Sequence, residues 1–221
     1  MTGQIGDNMK KSYILCACHY YRRIPSVKVQ AIYSACLAAG VDCTVVPDLC
    51  RVSAKHEPIN AEGCTILGCQ TRAIKTLIGH ATDWMDIRSM PTDELLEKLS
   101  LPKEFPWKEL PEVTLPDKWI PWFPAIDATR CVQCGKCMDF CMFGVYSKPD
   151  GKVTVTSAES CKTDCPACAR ICPANAIIFA KSEEDRLNGS LDEPVKPSEN
   201  DQAALRERLK HRRVPRLFKE E

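Results

Sequence analysis

Short apolar runs alternate with stretches of helical periodicity through the first 82 residues of the chain. The apolar runs SYILC, CTVVPDLC and CTILGC predict three strands, and the spacing of apolar positions predicts two helices, at SVKVQAIYSACLAAG and QTRAIKTLIGH. The order strand, helix, strand, strand, helix is typical of a parallel sheet with right-handed crossovers. Residues 1–82 are therefore predicted to form a small parallel α/β domain.

Residues 83–124 break this alternation and contain all of the tryptophans: Trp84, Trp107, Trp119 and Trp122. Seven prolines interrupt any long element here, and only PTDELLEKL has the pattern of a short helix. We predict a Pro/Trp-rich strap between two domains. Its indoles either pin the strap onto the flanking domains or form a docking surface for a partner protein.

Residues 125–182 return to short apolar runs, which now follow groups of cysteines. MFGVY and PANAIIF have the pattern of strands, and SKPDGKVTVT that of a hairpin with Asp150 and Gly151 in the turn. Residues 183–221 predict a polar tail that ends in a short basic helix. The predicted fold class is α+β, with a small parallel α/β domain followed by a second, cysteine-rich domain.

Net charge and hydropathy limit which classes of partner and which cellular locations fit this chain. A net charge of +1 over 221 residues indicates no general attraction to nucleic acid. The chain has no run of about 20 apolar residues, as a membrane span needs, and the apolar run after Lys11 is shorter than that of a secretory signal. Fifteen cysteines in such a chain are typical of metal binding or redox chemistry in a reducing cytoplasm.

Two cysteine groups in residues 125–182 are the strongest chemical signal. CVQCGKCMDFC has the spacing C-x2-C-x2-C-x3-C, and CKTDCPACARICP has the spacing C-x3-C-x2-C-x3-C-P. Three closely spaced cysteines on one loop can bind three corners of a cubane cluster, and the fourth corner must be met from elsewhere. Over roughly residues 125–180, this pattern resembles the bacterial-type ferredoxins that hold two [4Fe–4S] clusters.

The resemblance implies a ferredoxin-like βαβ–βαβ fold with crossed ligand sets. In that family the last cysteine of each motif binds the cluster of the other motif. The first cluster would take its thiolates from Cys131, Cys134, Cys137 and Cys172. The second would take them from Cys161, Cys165, Cys168 and Cys141. Cluster binding would then be part of folding, because the two motifs are interlocked.

The sequence departs from the family pattern at two positions. Met142 follows the fourth cysteine, where a proline is common, and three residues rather than two separate Cys161 from Cys165. The larger loop puts the ligand role of Cys161 in question. Two four-cysteine zinc sites are the alternative, although zinc ribbons use paired C-x2-C knuckles.

Four more cysteines are predicted to lie at the ends of strands in the first domain: Cys16, Cys18, Cys50 and Cys69. The carboxyl ends of parallel strands meet at one edge of a sheet, where open α/β sheets bind ligands. These four thiols are therefore candidates for a further cluster or for thiol redox chemistry. The alternative is packing, because cysteine is often buried as a small hydrophobic residue.

The remaining residues of this domain are assigned to structure or to its surface. Cys36 is expected to pack in the core, and Cys43 and Cys64, which begin strands, are assigned to structural roles. His19 is either an alternate ligand or an exposed loop residue. The strand that ends in C-x-C, with later cysteines after strands, resembles the N-terminal region of the flavin-binding subunit of heterodisulfide reductase and of a related small hydrogenase-associated protein. That resemblance implies an electron relay linked to flavin or to further clusters, although the flavin-binding domain is absent here.

These motifs favour an electron-transfer protein over a stand-alone enzyme. Neither G-x-G-x-x-G nor G-x4-G-K-[ST] occurs in the sequence. We expect single electrons to pass through two [4Fe–4S] clusters, in a subunit or partner of a larger cytoplasmic oxidoreductase that depends on flavin or nicotinamide. Two alternatives stay open: a thiol–disulfide or heterodisulfide-type reductase that uses the N-terminal thiols, and a scaffold with structural clusters.

Overall fold

The computed structural model describes residues 11–79, 83–112 and 118–191. The basic helix predicted near the end of the chain, and nearly all of the predicted polar tail, lie outside these residues. Within them, no helix is long and apolar enough to cross a membrane.

The N-terminal part contains four strands in one parallel sheet: β1 (Ser12–Cys16), β2 (Asp42–Val46), β3 (Cys64–Gly68) and β4 (Asp83–Asp86). Their order across the sheet is β2-β1-β3-β4. The predicted parallel sheet is therefore confirmed. The sheet gains β4 from residues that the sequence analysis placed in the strap, because Trp84 and Met85 pair with Ile66 and Leu67 of β3.

Four helices accompany the sheet: α1 (Ser26–Ala38), α2 (Leu49–Ala54), α3 (Thr71–Ile78) and α4 (Thr92–Leu99). The two predicted helices correspond to α1 and α3, and PTDELLEKL forms α4. The prediction that the second strand runs on to Cys50 is wrong, because the carboxylate of Asp48 accepts hydrogen bonds from the N–H groups of Cys50 and Arg51. This N-cap starts α2 directly after the strand.

The central strands β1 and β3 are largely buried, whereas the edge strands β2 and β4 are partly exposed. Leu15 of β1 and Leu67 of β3 are fully buried, and Ile32 of α1 and Leu95 of α4 pack in the same apolar core. Burying side chains of this size stabilises the fold by about 1.5–3 kcal/mol each. The core fixes the sheet, and with it the positions at which the strands end.

The C-terminal part contains four short strands: β5 (Ala125–Ile126), β6 (Tyr146–Ser147), β7 (Thr154–Val155) and β8 (Ile177–Ile178). Its helices are equally short: α5 (Lys136–Phe140), α6 (Ala167–Arg170) and α7 (Asp185–Asn188). β5 pairs antiparallel with β8, and β6 pairs antiparallel with β7. The strand before each cysteine motif is thus paired with the strand after the other motif. The predicted hairpin at SKPDGKVTVT is confirmed as β6 and β7.

The two parts share a buried cluster. Cys50 of α2 and Ala73 of α3 pack in it against Phe123, Ala125 and Ile178 from the C-terminal part. Gly189 follows α7 and approaches α3 so closely that an added Cβ atom would lie 3.0 Å from the backbone nitrogen of Ala73. The sheet and the cysteine-rich part are therefore packed directly against each other.

Two of the strap tryptophans lie between these parts. Trp122 is buried in the C-terminal core, where it stacks on Phe179 with ring centroids 5.2 Å apart. Trp119 lies under the ammonium group of Lys55, which is 5.3 Å from the ring centroid. Trp107 is different, because 58% of it is exposed. Trp119 and Trp122 thus match the pinning role that the sequence suggested.

Candidate metal centres

A cavity beside the first cysteine motif is lined by four cysteines: Cys131, Cys134, Cys137 and Cys172. The first two lie on the loop before α5, the third is on α5, and the fourth comes two residues after α6. Apolar side chains, among them Ile126, Val153 and Ile177, complete the wall. The cavity therefore offers four thiols inside an apolar lining, and one of them comes from the second motif.

A second cavity has the matching composition, with Cys161, Cys165, Cys168 and Cys141 in its wall. Here the fourth cysteine comes from the first motif. The ring of Tyr146 also lines this cavity, as do Phe140, Met142 and Phe143. The structure thus sorts the eight cysteines into the same two sets of four that the ferredoxin resemblance implies.

The backbone repeats around the two cavities. The residue before the second cysteine of each motif has a positive φ angle, 56° at Gln133 and 59° at Asp164. The residue three positions after the fourth cysteine does so as well, with φ of 65° at Gly144 and 48° at Asn175. Left-handed residues are uncommon outside glycine and mark tight turns. These four turns at matching positions relate the two cysteine motifs of the C-terminal part by an approximate two-fold repeat.

The additional residue between Cys161 and Cys165 is absorbed by a turn. The N–H of Cys165 donates to the carbonyl oxygen of Lys162 at 3.1 Å, and Asp164 adopts its left-handed conformation inside this turn. Cys161 consequently still lines the second cavity. The enlarged loop also makes a contact, because the carboxylate of Asp164 accepts a hydrogen bond from the Tyr21 hydroxyl at 3.1 Å.

Burial shapes the electrostatics of these thiols. It raises the pKa of Cys161 to about 12, with a further rise from the negative charge of Cys168, and it raises the pKa of Cys168 to about 11. Such thiols ionise at neutral pH only when a cation compensates the charge, as a coordinating metal does. At the first cavity, the N–H of Ala176 donates to the Cys172 sulfur at 3.3 Å, which favours the thiolate.

A cubane cluster and a single metal ion need different arrangements of their four cysteine ligands. Among the described residues, no three Cys, His, Asp or Glu side chains are arranged to hold one metal ion. A zinc site needs four ligands around a single ion, each sulfur about 2.3 Å from it. In a cubane each thiolate binds a different iron, so the four sulfurs lie further apart. Each cavity, with four cysteines in its wall, has the ligand set that a cubane cluster needs.

Comparison with known proteins agrees with this chemistry. A family model for the 4Fe-4S dicluster domain matches residues 123–185. An uncharacterized ferredoxin of Methanocaldococcus jannaschii is 38% identical over 57 residues, which cover 24% of this chain and 73% of that protein. The chain belongs to the 4Fe-4S dicluster ferredoxin family. Its C-terminal half is accordingly an iron–sulfur domain of electron-transfer type.

Two further relatives come from the same organism. Another uncharacterized ferredoxin is 46% identical over 72 residues, which cover 32% of this chain and 49% of that protein. The chain thus spans about half the length of that relative. The pyruvate synthase subunit PorD is 30% identical over 66 residues, which cover 30% of this chain and 76% of that protein.

The structure also brings together the four cysteines at the edge of the N-terminal sheet. Cys16 is the last residue of β1, Cys18 follows it, and Cys69 follows β3. Cys50 lies in the first turn of α2 and not on a strand, and Cys69 packs against both the buried cluster that contains Cys50 and the core that contains Cys16 and Cys18. Burial raises the pKa of Cys50 well above its usual value, and the charges of Cys69 and Cys16 raise it further, so these sulfurs interact with one another.

The other cysteines of this domain lie elsewhere, as the sequence analysis expected. Cys36 and Cys43 hydrogen bond to each other, and Cys64 accepts a hydrogen bond from the Ser12 hydroxyl at 3.1 Å. His19 is exposed and meets the ring of Tyr20 edge-on, with centroids 5.6 Å apart. The structure therefore places His19 as an exposed loop residue.

Sequence reasoning missed two residues of the N-terminal site. Lys181, three residues beyond β8 in the C-terminal half, forms a buried ion pair with Asp48 and donates a hydrogen bond to the Cys18 sulfur at 3.5 Å. The sequence contained one usable signal, an aspartate before a helical stretch in PDLCRVSA. No local signal pointed to Lys181, because its partners Asp48 and Cys18 precede it by 133 and 163 positions in the sequence.

Proposed function

We propose that the protein is a one-electron carrier with two [4Fe–4S] clusters, one in each cysteine-lined cavity. The observation that supports this most strongly is the division of eight cysteines into two sets of four around separate cavities within the dicluster domain. When bound, such clusters supply reversible one-electron redox chemistry. The chain's own residues supply the thiolates, the apolar walls and the hydrogen bonds to sulfur.

The proposed ligands are crossed between the motifs. One set consists of Cys131, Cys134, Cys137 and Cys172. The other consists of Cys161, Cys165, Cys168 and Cys141. Apolar side chains shield part of each cysteine-lined cavity, although Cys134 is exposed, and the Ala176 N–H donates a hydrogen bond to the Cys172 sulfur at 3.3 Å. Burial and hydrogen bonds to sulfur are the means by which a protein tunes a cluster potential.

The test is anaerobic reconstitution followed by iron and sulfide analysis and a redox titration. We expect about eight irons in the ferredoxin half, from two four-iron clusters, and reversible reduction in one-electron steps. Four irons or fewer in fully reconstituted protein would contradict the two-cluster proposal. Clusters that no low-potential reductant can reduce would instead support the scaffold alternative.

The proposed partner is a larger oxidoreductase. Similarity to a component of pyruvate synthase supports a role as a subunit or partner of such an enzyme. Beside the second cavity, Met142 is 87% exposed and Phe140 is 55% exposed, so apolar side chains that line the cavity also reach the surface. Exposed apolar patches of this kind are typical of protein contacts. We place this partnership in a reducing compartment, such as the cytoplasm, because clustered cysteines there are typical of metal binding or redox chemistry.

The partnership can be tested by following reduction of the clusters by candidate enzymes, including the catalytic subunits of a pyruvate synthase and flavin- or nicotinamide-dependent reductases. We expect Met142→Glu to slow reduction by the true partner but not by dithionite, which needs no docking. Equal rates for Met142→Glu and wild type with every enzyme would contradict docking at this patch. The thiol–disulfide reductase alternative gains no support, because Cys16, Cys18 and Cys50 are buried, and a reactive thiol must be accessible to its substrate.

A further inference from the structure

The N-terminal thiols surround a buried pair of opposite charges. The ammonium group of Lys181 contacts the carboxylate of Asp48, and their side chains are only 5% and 0% exposed. Cys16, Cys18 and Cys50 all exert electrostatic effects on Lys181. Lys181 thus lies against the Asp48 carboxylate and, at 3.5 Å, against the sulfur of Cys18.

Apolar packing alone does not account for such a pair. Taking an ammonium and a carboxylate out of water costs several kcal/mol per ion, and replacing such a pair with apolar residues is often neutral or stabilising. The Asp48 carboxylate is already used by the N-cap of α2, whereas Lys181 also faces sulfur. A buried cation that donates to a thiol is better explained if the thiols carry negative charge when the protein is functional.

The sulfurs have the same kind of hydrogen bonds as a cysteine of the ferredoxin domain. The backbone N–H of Leu49 donates to the Cys16 sulfur at 3.4 Å, and Lys181 donates to the Cys18 sulfur at 3.5 Å. In the C-terminal half, the N–H of Ala176 donates to the Cys172 sulfur at 3.3 Å. Hydrogen bonds from N–H groups stabilise thiolates and are a feature of iron–sulfur sites.

The position in the sheet is also that of a ligand site. β1 has β2 on one side and β3 on the other, so the chain reverses its direction across the sheet between β1 and β3. Ligands of open parallel sheets bind outside the carboxyl ends of the strands at such a switch point. Cys16 and Cys18 lie after β1, and Cys69 lies after β3, at this switch point.

We propose that Cys16, Cys18, Cys50 and Cys69 hold a third iron–sulfur centre, in a composite site that Lys181 of the ferredoxin half completes. Lys181 brings positive charge to these thiols, since its ammonium group donates a hydrogen bond to the Cys18 sulfur at 3.5 Å. Thiolate-bound iron–sulfur centres are anionic, and buried anions need compensating charge. Lys181 is thus a positioning and charge-compensating residue and not a ligand.

A single metal ion is a poorer occupant. The described residues contain no group of three Cys, His, Asp or Glu side chains arranged for one ion, and this holds equally for the cysteines of the dicluster domain. Spread thiols are what a cluster requires, because each binds a separate iron. The presence of Lys181 also means that residues 1–82 expressed alone lack part of the site, so the experiment must use the full chain.

The experiment is anaerobic reconstitution of the full-length protein with iron and sulfide, followed by metal analysis and electron paramagnetic resonance of the reduced state. We expect more than eight irons per chain, about ten for a two-iron centre and about twelve for a four-iron centre. Cys69→Ala should return the count to about eight and remove one spectral component. The matched control is Cys43→Ala, which removes a partly buried cysteine of the same domain outside the group and should keep all of the iron.

Lys181→Met provides a second variant that leaves all four thiols in place. We expect it to alter or abolish the spectrum of the additional centre, while the two signals of the ferredoxin half persist and report that this half is folded. Eight irons in the wild-type protein would overturn the inference without touching the two-cluster proposal, which does not depend on these residues. Additional iron that survives Cys69→Ala, or zinc in place of iron and sulfide, would also overturn it.

Discussion

Arg72 of α3 donates a hydrogen bond from Nε to the Oδ2 atom of Asp127 at 2.7 Å, and both residues are buried. The same guanidinium donates from Nη2 to the carbonyl oxygen of Asn175 at 2.5 Å. Asp127 precedes the first cysteine motif and Asn175 follows the second, so Arg72 joins the sheet domain to both sides of the first cavity. Burial raises the pKa of Asp127, but hydrogen bonds from Thr129 and Arg72 outweigh it and lower the pKa overall.

We predict that Arg72→Met lowers the free energy of unfolding by about 3 kcal/mol, the low end of the cost of breaking a buried ion pair. The low end applies because Arg130 stays 3.6 Å from the same carboxylate oxygen. Anaerobic denaturation followed by tryptophan fluorescence measures the loss. Lys103→Met is the control, because the Lys103–Glu97 pair is exposed and should contribute almost nothing. Equal effects of the two variants would contradict a buried interdomain pair.

Gly189 provides a test of the close approach between α3 and the segment after α7. Its φ is 87°, and an added Cβ would lie 3.0 Å from the Ala73 nitrogen. Gly151 has a similar φ of 75° but nothing within 4 Å of such a Cβ. Both alanine variants incur the conformational cost of a left-handed residue, about 1–2 kcal/mol. Gly189→Ala should lose about 1–3 kcal/mol more, from the steric overlap.

The comparison between these two glycines is made by thermal or chemical unfolding of both variants beside wild type. Equal losses would mean that the domains do not approach closely at Ala73. A larger loss at Gly151 would place the tighter constraint in the β6–β7 hairpin and not between the domains.

The local pattern predicted much of the fold, and long-range contacts account for what it missed. SYILC and CTILGC were recognised as strands because their apolar character is local, and the cysteine spacings indicated the dicluster domain for the same reason. Cys50 was assigned to a strand because it ends an apolar run. The helix starts there because the Asp48 side chain caps it, and the pattern of apolar residues does not record that contact. Lys181 and Arg72 could not be found, because their partners lie far away in the sequence and no periodicity records such contacts.

Tyr21 gives a prediction for alkaline pH. Burial, followed by its hydrogen bond to Asp164, raises the pKa of Tyr21 to about 12, above the ordinary value of about 10. Because the pKa of the folded state is the higher one, this stabilisation is complete below about pH 10 and is lost as the pH rises toward about 12. The difference in denaturation midpoint between wild type and Tyr21→Phe should therefore shrink from about pH 8 to about pH 12.

Asp164→Asn is the matched variant for this contact. It keeps a hydrogen-bond acceptor and removes the negative charge, so the pKa of Tyr21 should fall toward its ordinary value. Ultraviolet titration of the phenol, with Tyr21→Phe subtracted, measures the change. A Tyr21 that titrates at its ordinary pKa in the wild-type protein would show that the contact between the two halves is absent in solution.

The crossed ligand sets make the sharpest prediction for the ferredoxin half. Cys134 and Cys172 line one cavity although they belong to different motifs, and Cys165 and Cys141 line the other. Loss of one thiolate leaves one corner of a cluster without its ligand, so that cluster should be lost or converted while the other remains. The electron paramagnetic resonance spectrum of the cluster that remains in reduced Cys172→Ala should therefore match the spectrum of reduced Cys134→Ala. That of Cys141→Ala should match that of Cys165→Ala. If Cys172→Ala instead resembles Cys165→Ala, each motif binds its own cluster, and the crossed assignment is wrong.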